Sequence, residues 1–247
     1  MKKILFIVIA LAMSASNAKA LDFDYEPEEG FTFMGLFGMN VSKLQNHPYD
    51  AKVGATMGAR ADYVLPNAHG TYVTAGLDWT MKGGKLSHYA DVQGNTFSAT
   101  SKAPLHYFEV PIRVGFRYNF MDELGVYGEV GPYFAVGIGG RHQLSIDADG
   151  EDANVVEDEF NYKIFKKSSD IERLCNFQRW DAGIGFRIGA EYNQHYNLLI
   201  GCDWGLADIY RDSFRDAYHD FYKARGLDES LSKVKNFNFS ITFGYRL

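Results

Sequence analysis

The chain has 247 residues, 46% of them hydrophobic and 15% aromatic, with 25 lysines and arginines against 31 aspartates and glutamates and a formal net charge of −6. An acidic balance argues against nucleic-acid binding, and two cysteines, Cys175 and Cys202, neither with a cysteine or histidine at metal-ligand spacing, argue against a disulfide framework or a structural metal site. Beyond the first twenty residues no apolar run reaches eighteen. That excludes ordinary spanning helices but leaves spanning strands, which need only about ten residues each.

Met1 to Ala20 has the layout of an export signal: Lys2 and Lys3, an apolar run from Ile4 to Met13, then small and polar residues up to Ala18-Lys19-Ala20, with cleavage expected after Ala20. The apolar run covers about half of a hydrocarbon core, too little for an anchor. Cleavage leaves 227 residues with 22 basic and 31 acidic side chains, a formal charge of −9. An acidic leader follows over 21–30, expected on the periplasmic side, and the rest, 31–247, reads as one barrel domain with no linker or shift in composition.

Strands are expected near 31–41, 51–64, 71–81, 105–120, 125–140, 179–192, 196–206 and 235–247. Along the fourth, Phe108, Val110, Ile112, Val114, Phe116, Tyr118 and Phe120 alternate with Glu109, Pro111, Arg113, Gly115, Arg117 and Asn119. The sixth alternates likewise from Trp180 to Tyr192, and Phe237 to Leu247 repeats the pattern. Period-two alternation defines half-buried strands but does not say which face is inside. Export, the length of the alternating stretches, and aromatic residues recurring near their ends favour apolar outside and polar inside, with girdles at two membrane interfaces. An even number of strands and alternately short and long connections fit an all-β, eight-stranded antiparallel transmembrane β-barrel with short periplasmic turns and longer extracellular loops.

The same parity puts Arg60, Asp62, Asp78, Glu109, Arg113, Arg117, Glu129, Asp181, Arg187, Glu191, Asp203 and Arg246 in the lumen: five arginines against seven carboxylates. An eight-stranded barrel is only wide enough for side chains to fill it. Ion pairing across it therefore predicts a plug rather than a wide pore. The long connection 141–178 opens with an acidic run from Asp147 to Glu159 whose spacing fits no calcium-binding loop, followed by Lys163, Lys166 and Lys167. In the last outer connection, residues from Asp208 to Lys223 place apolar side chains at helical spacing over the barrel mouth. Tyr210, Phe214 and Tyr218 are its candidate contacts, with packing on the rim favoured over a protein partner.

No catalytic, cofactor-binding or metal-ligating set is assigned. His88 or His106 with Asp91, and His142 with Asp147, are pairings on the outer side, but a general base needs hydrogen-bond reach to its partner, which spacing alone does not supply. HExxH, GxSxG and phosphate-binding glycine motifs are absent.

The segments YFEVPIRVGFRYNF at 107–120, YGEVGPYFAVGIGG at 127–140, RWDAGIGFRIGAEY at 179–192 and IGCDWGLADIY at 200–210 give the chain a resemblance to the PorT-like outer-membrane β-barrel proteins of the Bacteroidetes. Leu247 stands where a terminal phenylalanine is frequent. The resemblance implies an outer-membrane resident assembled by the barrel insertion machinery, in contact with outer-membrane lipids and lipopolysaccharide. It brings no catalytic residues or cofactor. In one branch, relatives support secretion of surface proteins. The expected function is a non-enzymatic barrel with a structural or protein-docking role in the envelope. The alternatives are a narrow channel or a transporter of small hydrophobic molecules, and, behind them, an outer-face hydrolase or acyltransferase.

Overall fold

A computed structural model of the chain describes residues 29–92, 95–121, 123–148, 162–166, 176–228 and 230–247, with backbone only at 88–92, 95–98 and 146–148. The expected signal segment, nearly all of the leader, the acidic stretch at 149–159, Lys167 and Cys175 lie outside the described residues.

Among the described residues, nine strands and one helix follow in order: β1 (Gly30–Gln45), β2 (Lys52–Val64), β3 (Thr71–Val92), β4 (Asn95–Asn119), β5 (Leu124–Ala148), the two-residue β6 (Tyr162–Lys163), β7 (Trp180–Tyr192), β8 (Tyr196–Gly205), α1 (Asp212–Lys223) and β9 (Lys235–Arg246). All pairings are antiparallel. Each long strand pairs with its sequence neighbour, β5 pairs with β7, and β1 pairs with β9, so eight strands close into a ring without a free edge. Closure satisfies backbone groups that lipid cannot.

The pleat turns the alternation into two surfaces. Phe33, Phe37, Met39, Val110, Ile112, Phe134, Ile188, Ile200, Ile241 and Phe243 are exposed, whereas Arg60, Asp78, Glu109, Arg113, Glu129 and Asp203 are buried. Such an apolar exterior is far larger than soluble proteins leave in water, and a hydrocarbon solvent explains it. The barrel is therefore polar inside.

Three strands depart from expectation. β3 has 22 residues and β4 and β5 have 25 each, where about ten cross a bilayer. The segment 82–104, expected as a loop, instead continues the β3–β4 ladder from Lys82↔Leu105 to Val92↔Asn95, and β5 runs on beside β4 to Ala148. A register shift between His106 and Tyr107 marks where the extension leaves the ring. The β1–β2 connection is tied to this extension by reciprocal backbone bonds between Asp50 and Lys85 of 2.7 and 3.1 Å.

Close approach fixes two glycines. A side chain on Gly115 would strike the Tyr72 ring and one on Gly189 the Tyr127 ring, each at 2.3 Å. Both tyrosines lie across the lumen wall because their neighbouring strands present no Cβ there.

Candidate functional site

The lumen is the part of the molecule where charge is concentrated, and its ion pairs fall into three groups. Nearest the short turns, Arg117 and Arg246 both reach Asp62 at 3.3 Å and both contact Glu191, a ring of two cations and two anions. In the middle, Arg60 bridges Asp78 (3.3 Å) and Glu129 (2.8 Å), Arg113 links Glu129 (3.3 Å) to Asp203 (3.6 Å), and Arg187 grips Asp203 with two bonds of 2.8 Å. Three guanidinium groups here face three carboxylates. Planar, two-pronged arginine suits such shared contacts.

The third group is built on Lys82, which parity reasoning missed by ending the strand at Met81. Its ammonium lies 2.5 Å from Glu109 and 3.4 Å from Asp181, and 4.5 Å from the Tyr133 ring centre. Asp181 also accepts from Asn236 at 2.8 Å and Tyr133 at 3.3 Å. The two glycines after Lys82 resemble a turn; the inward parity of Asp78 and Thr80, carried two residues further, was the signal for it. All twelve sequence-predicted lumen residues are buried, and each lies in one of these groups. With Lys82, six cations meet seven carboxylates, and the surplus anion belongs to the group beside the long connections.

Apolar clusters close the charged column at both ends. Met34, Val64, Tyr72, Tyr127 and Leu199 pack together at the short-turn end. At the other end a larger cluster draws Leu44 and Tyr49 from the β1–β2 side, Tyr107 and Tyr133 from the wall, Ile164 and Phe165 after β6, Phe177, Ile209 and Tyr210, Phe214 from α1, and Val234. Asp208 organises this cap. Its Oδ1 accepts from the backbone of Tyr210 (3.2 Å) and Val234 (3.0 Å), while Oδ2 meets Arg215 at 2.5 Å and its carbonyl accepts from Gln178.

Of the candidate outer contacts, Tyr210 (6% exposed) and Phe214 (3%) are core residues of the cap: the segment before α1 bridges to Phe177 at Tyr210, and the Tyr210 and Phe214 rings lie 5.6 Å apart. They are not available to a partner. Tyr218 is half-buried and lies 4.5 Å, centre to centre, from Tyr222, with Phe221 exposed alongside.

Two of the histidines have described contacts in the extension. His142 Nε2 lies 2.7 Å from Ser101 Oγ and 2.9 Å from Tyr49 OH, and the two hydroxyls are 2.5 Å apart. His106 stacks on Trp79. Ser101–His142 has the spacing of a nucleophile and its base, but Tyr49, Ser101 and His142 are all buried, so the triangle ties the β1–β2 connection to β4 and β5. The side chains of His88, Asp91 and Asp147 are outside the described residues. Among the described residues no three His, Cys, Asp or Glu side chains are grouped to hold a metal, and no helix is long and apolar enough to cross a membrane.

A closed antiparallel ring with charge within and hydrocarbon without defines an outer-membrane β-barrel. The chain belongs to the outer membrane protein beta-barrel domain family, whose profile matches residues 15–211, and the protein resides in the outer membrane. α1 and β9 lie beyond the matched stretch, although β9 closes the ring. Solved structures similar to it include Ail, the attachment invasion locus protein of Yersinia pestis, at 12% identity over 89% of this chain and 100% of that one with a TM-score of 0.41. OprG from Pseudomonas aeruginosa is 12% identical over 90% and 98% with a TM-score of 0.41. Neisserial surface protein A is 11% identical over 89% and 99% with a TM-score of 0.37. No curated protein matches the chain.

Proposed function

We propose that this protein is a non-enzymatic, PorT-like outer-membrane barrel that acts as a structural element or docking scaffold of the envelope, with a role in support of surface-protein secretion. The observation that carries the reading is the interruption of the lumen at three depths: an apolar cluster at each end and a cross-linked layer of Arg60, Arg113 and Arg187 between them. A solute would have to break several buried ion pairs at once, each break leaving an uncompensated charge at a cost of several kcal/mol. Function then belongs to the surfaces beyond the bilayer, which this chain enlarges with the three-stranded extension and α1. On this reading the barrel insertion machinery assembles it, outer-membrane lipids and lipopolysaccharide surround it, and an envelope protein docks on Tyr218, Phe221 and Tyr222.

Reconstitution into planar bilayers tests the choice between scaffold and channel. The expected result is no steady conductance over a wide voltage range, in wild type and in Glu109→Gln alike. Steady conductance altered by Glu109→Gln or Arg113→Gln would instead favour the narrow-channel alternative. For docking, Tyr218→Ser with Phe221→Ser should abolish capture of one specific envelope protein while the folded barrel keeps its anomalous gel migration before boiling. Unchanged capture would remove α1 as the docking face.

A further inference from the structure

The register between β5 and β7 ends at Val136↔Trp180, with one further bond from the Gly137 N–H to the Arg179 carbonyl (2.6 Å), and β5 next meets the β6 segment where the Ile164 N–H donates to the Gly140 carbonyl (3.1 Å) and Arg141 pairs with Lys163. Between these bonds, at Ile138 and Gly139, neither β6 nor β7 pairs with β5 and the wall parts. A cavity of about 470 Å3 occupies the gap, within the range that holds a small ligand or a lipid headgroup. Gly139 and Gly140 line it without side chains, Ile138 and Phe165 supply apolar contact, and four cations, Arg141, Lys163, Lys166 and Arg179, surround it. None of the four has a carboxylate partner among the described residues. Arg179 is held in place by donating to the Gly137 carbonyl at 2.9 Å.

Burial, together with the charge of Arg179, holds the Arg211 guanidinium below its ordinary pKa, and Arg211 is itself fixed by a 2.7 Å bond to the Phe165 carbonyl. Four cations lining one concavity focus a positive potential there.

Position identifies the ligand class. On the outward face of β5 the lipid-facing series ends at Phe134 and Ile138, and Trp180, 70% exposed, stands at the start of β7 beside the gap. Exposed tryptophan marks the interface between hydrocarbon and water, so the cations stand where headgroups lie. By contrast the short turns, 65–70, 120–124 and 193–195, contain no lysine or arginine.

We infer that the gap between β6 and β7 is a binding site for a phosphate monoester, carried by a membrane lipid whose chains lie along β5 and β7. The inference rests on the membrane placement of the barrel and names the lipid chemistry it recognises. Arginine pairs bidentately with phosphate, and Arg141 and Arg179 are its two arginines.

Native mass spectrometry of the folded full-length barrel in detergent tests this, titrated with phosphorylated lipid A, with enzymatically dephosphorylated lipid A, and with inorganic phosphate. Phosphorylated lipid A should bind at unit stoichiometry and the dephosphorylated form at least about tenfold more weakly, since a charged, doubly hydrogen-bonded contact is lost. Arg141→Gln with Arg179→Gln should weaken the phosphorylated lipid by a similar factor, while Lys102→Gln, which removes an exposed charge from β4 at the same rim, should not. Displacement by millimolar inorganic phosphate would assign the site to a free anion, and its failure to displace would assign it to the lipid; both keep the phosphate site. Equal binding of the two lipid forms, or equal loss in Lys102→Gln, overturns it, as does no binding, the result expected if carboxylates of the same connection already serve these cations. If the double variant does not fold, the comparison of the two lipid forms on wild type still decides. Loss of heat-modifiable migration in the wild type would overturn the membrane placement instead, a separate result.

Discussion

The two ends of the ring are closed from different sources. At the short-turn end the cluster of Met34, Val64, Tyr72, Tyr127 and Leu199 comes from the strands themselves. At the other end most of the cap arrives from connections: Tyr49, Ile164, Phe165, Phe177, Ile209, Tyr210, Phe214 and Val234 are not on the eight ring strands. The first end is a property of the barrel and the second an assembly placed on it. A closure built from connections can change its outer face without disturbing the wall, whereas one built from strands cannot. The distribution of charge repeats the contrast. The pair group near the short turns is balanced, while the one under the cap holds one lysine against Glu109 and Asp181.

The comparison can be broken most severely in the layer common to both ends. Arg113→Met leaves Glu129 and Asp203 short of a partner and should lower stability by about 3–5 kcal/mol, read as a lower urea midpoint for the folded barrel in lipid. Phe214→Ala should cost about 3 kcal/mol, but its signature is regional: proteolysis of the connections at the cap end should accelerate while the migration of the unboiled barrel is retained. If the whole ring unfolds with it, the two closures are not separable. Ile112→Lys, 45% exposed on the outer face of β4, should cost about 2–4 kcal/mol near the bilayer midplane, and a negligible effect there would argue for water on that face. Ser101→Ala should cost about 1 kcal/mol, because Tyr49 and His142 retain each other at 2.9 Å. It should loosen the tie between the β1–β2 connection and the extension, read as faster hydrogen exchange at Asp50 and Lys85.

What was legible in the sequence follows the same division. The lumen charges announce themselves because a strand in a two-solvent environment must alternate strictly, so the parity of Arg113 or Asp181 gives its direction. Lys82 escaped because Gly83 and Gly84 look like a stop, and the segment beyond them, being flanked by water rather than by lipid, has no reason to alternate. The cap escaped for another reason. Its aromatic residues come from two wall strands and three connections, and no local period relates Tyr49 to Phe177 or Phe165 to Tyr107. Only Ile209, Tyr210 and Phe214 lay close enough together to read as an apolar face, and spacing cannot say whether such a face points to the rim or to a partner.

The β1–β9 ladder carries a kinetic consequence. Asn40 and Asn238, hydrogen-bonded at 2.7 Å, are 198 residues apart in the chain, whereas the other ladders of the ring join strands adjacent or nearly adjacent in sequence. A curved sheet can therefore grow by local pairing alone, but the final seam must wait for the most distant encounter in the molecule, the slowest kind to form. Until it does, β1 and β9 present two unpaired edges able to template the wrong neighbour. The interval before that zip fastens is when this protein is most exposed to misassembly.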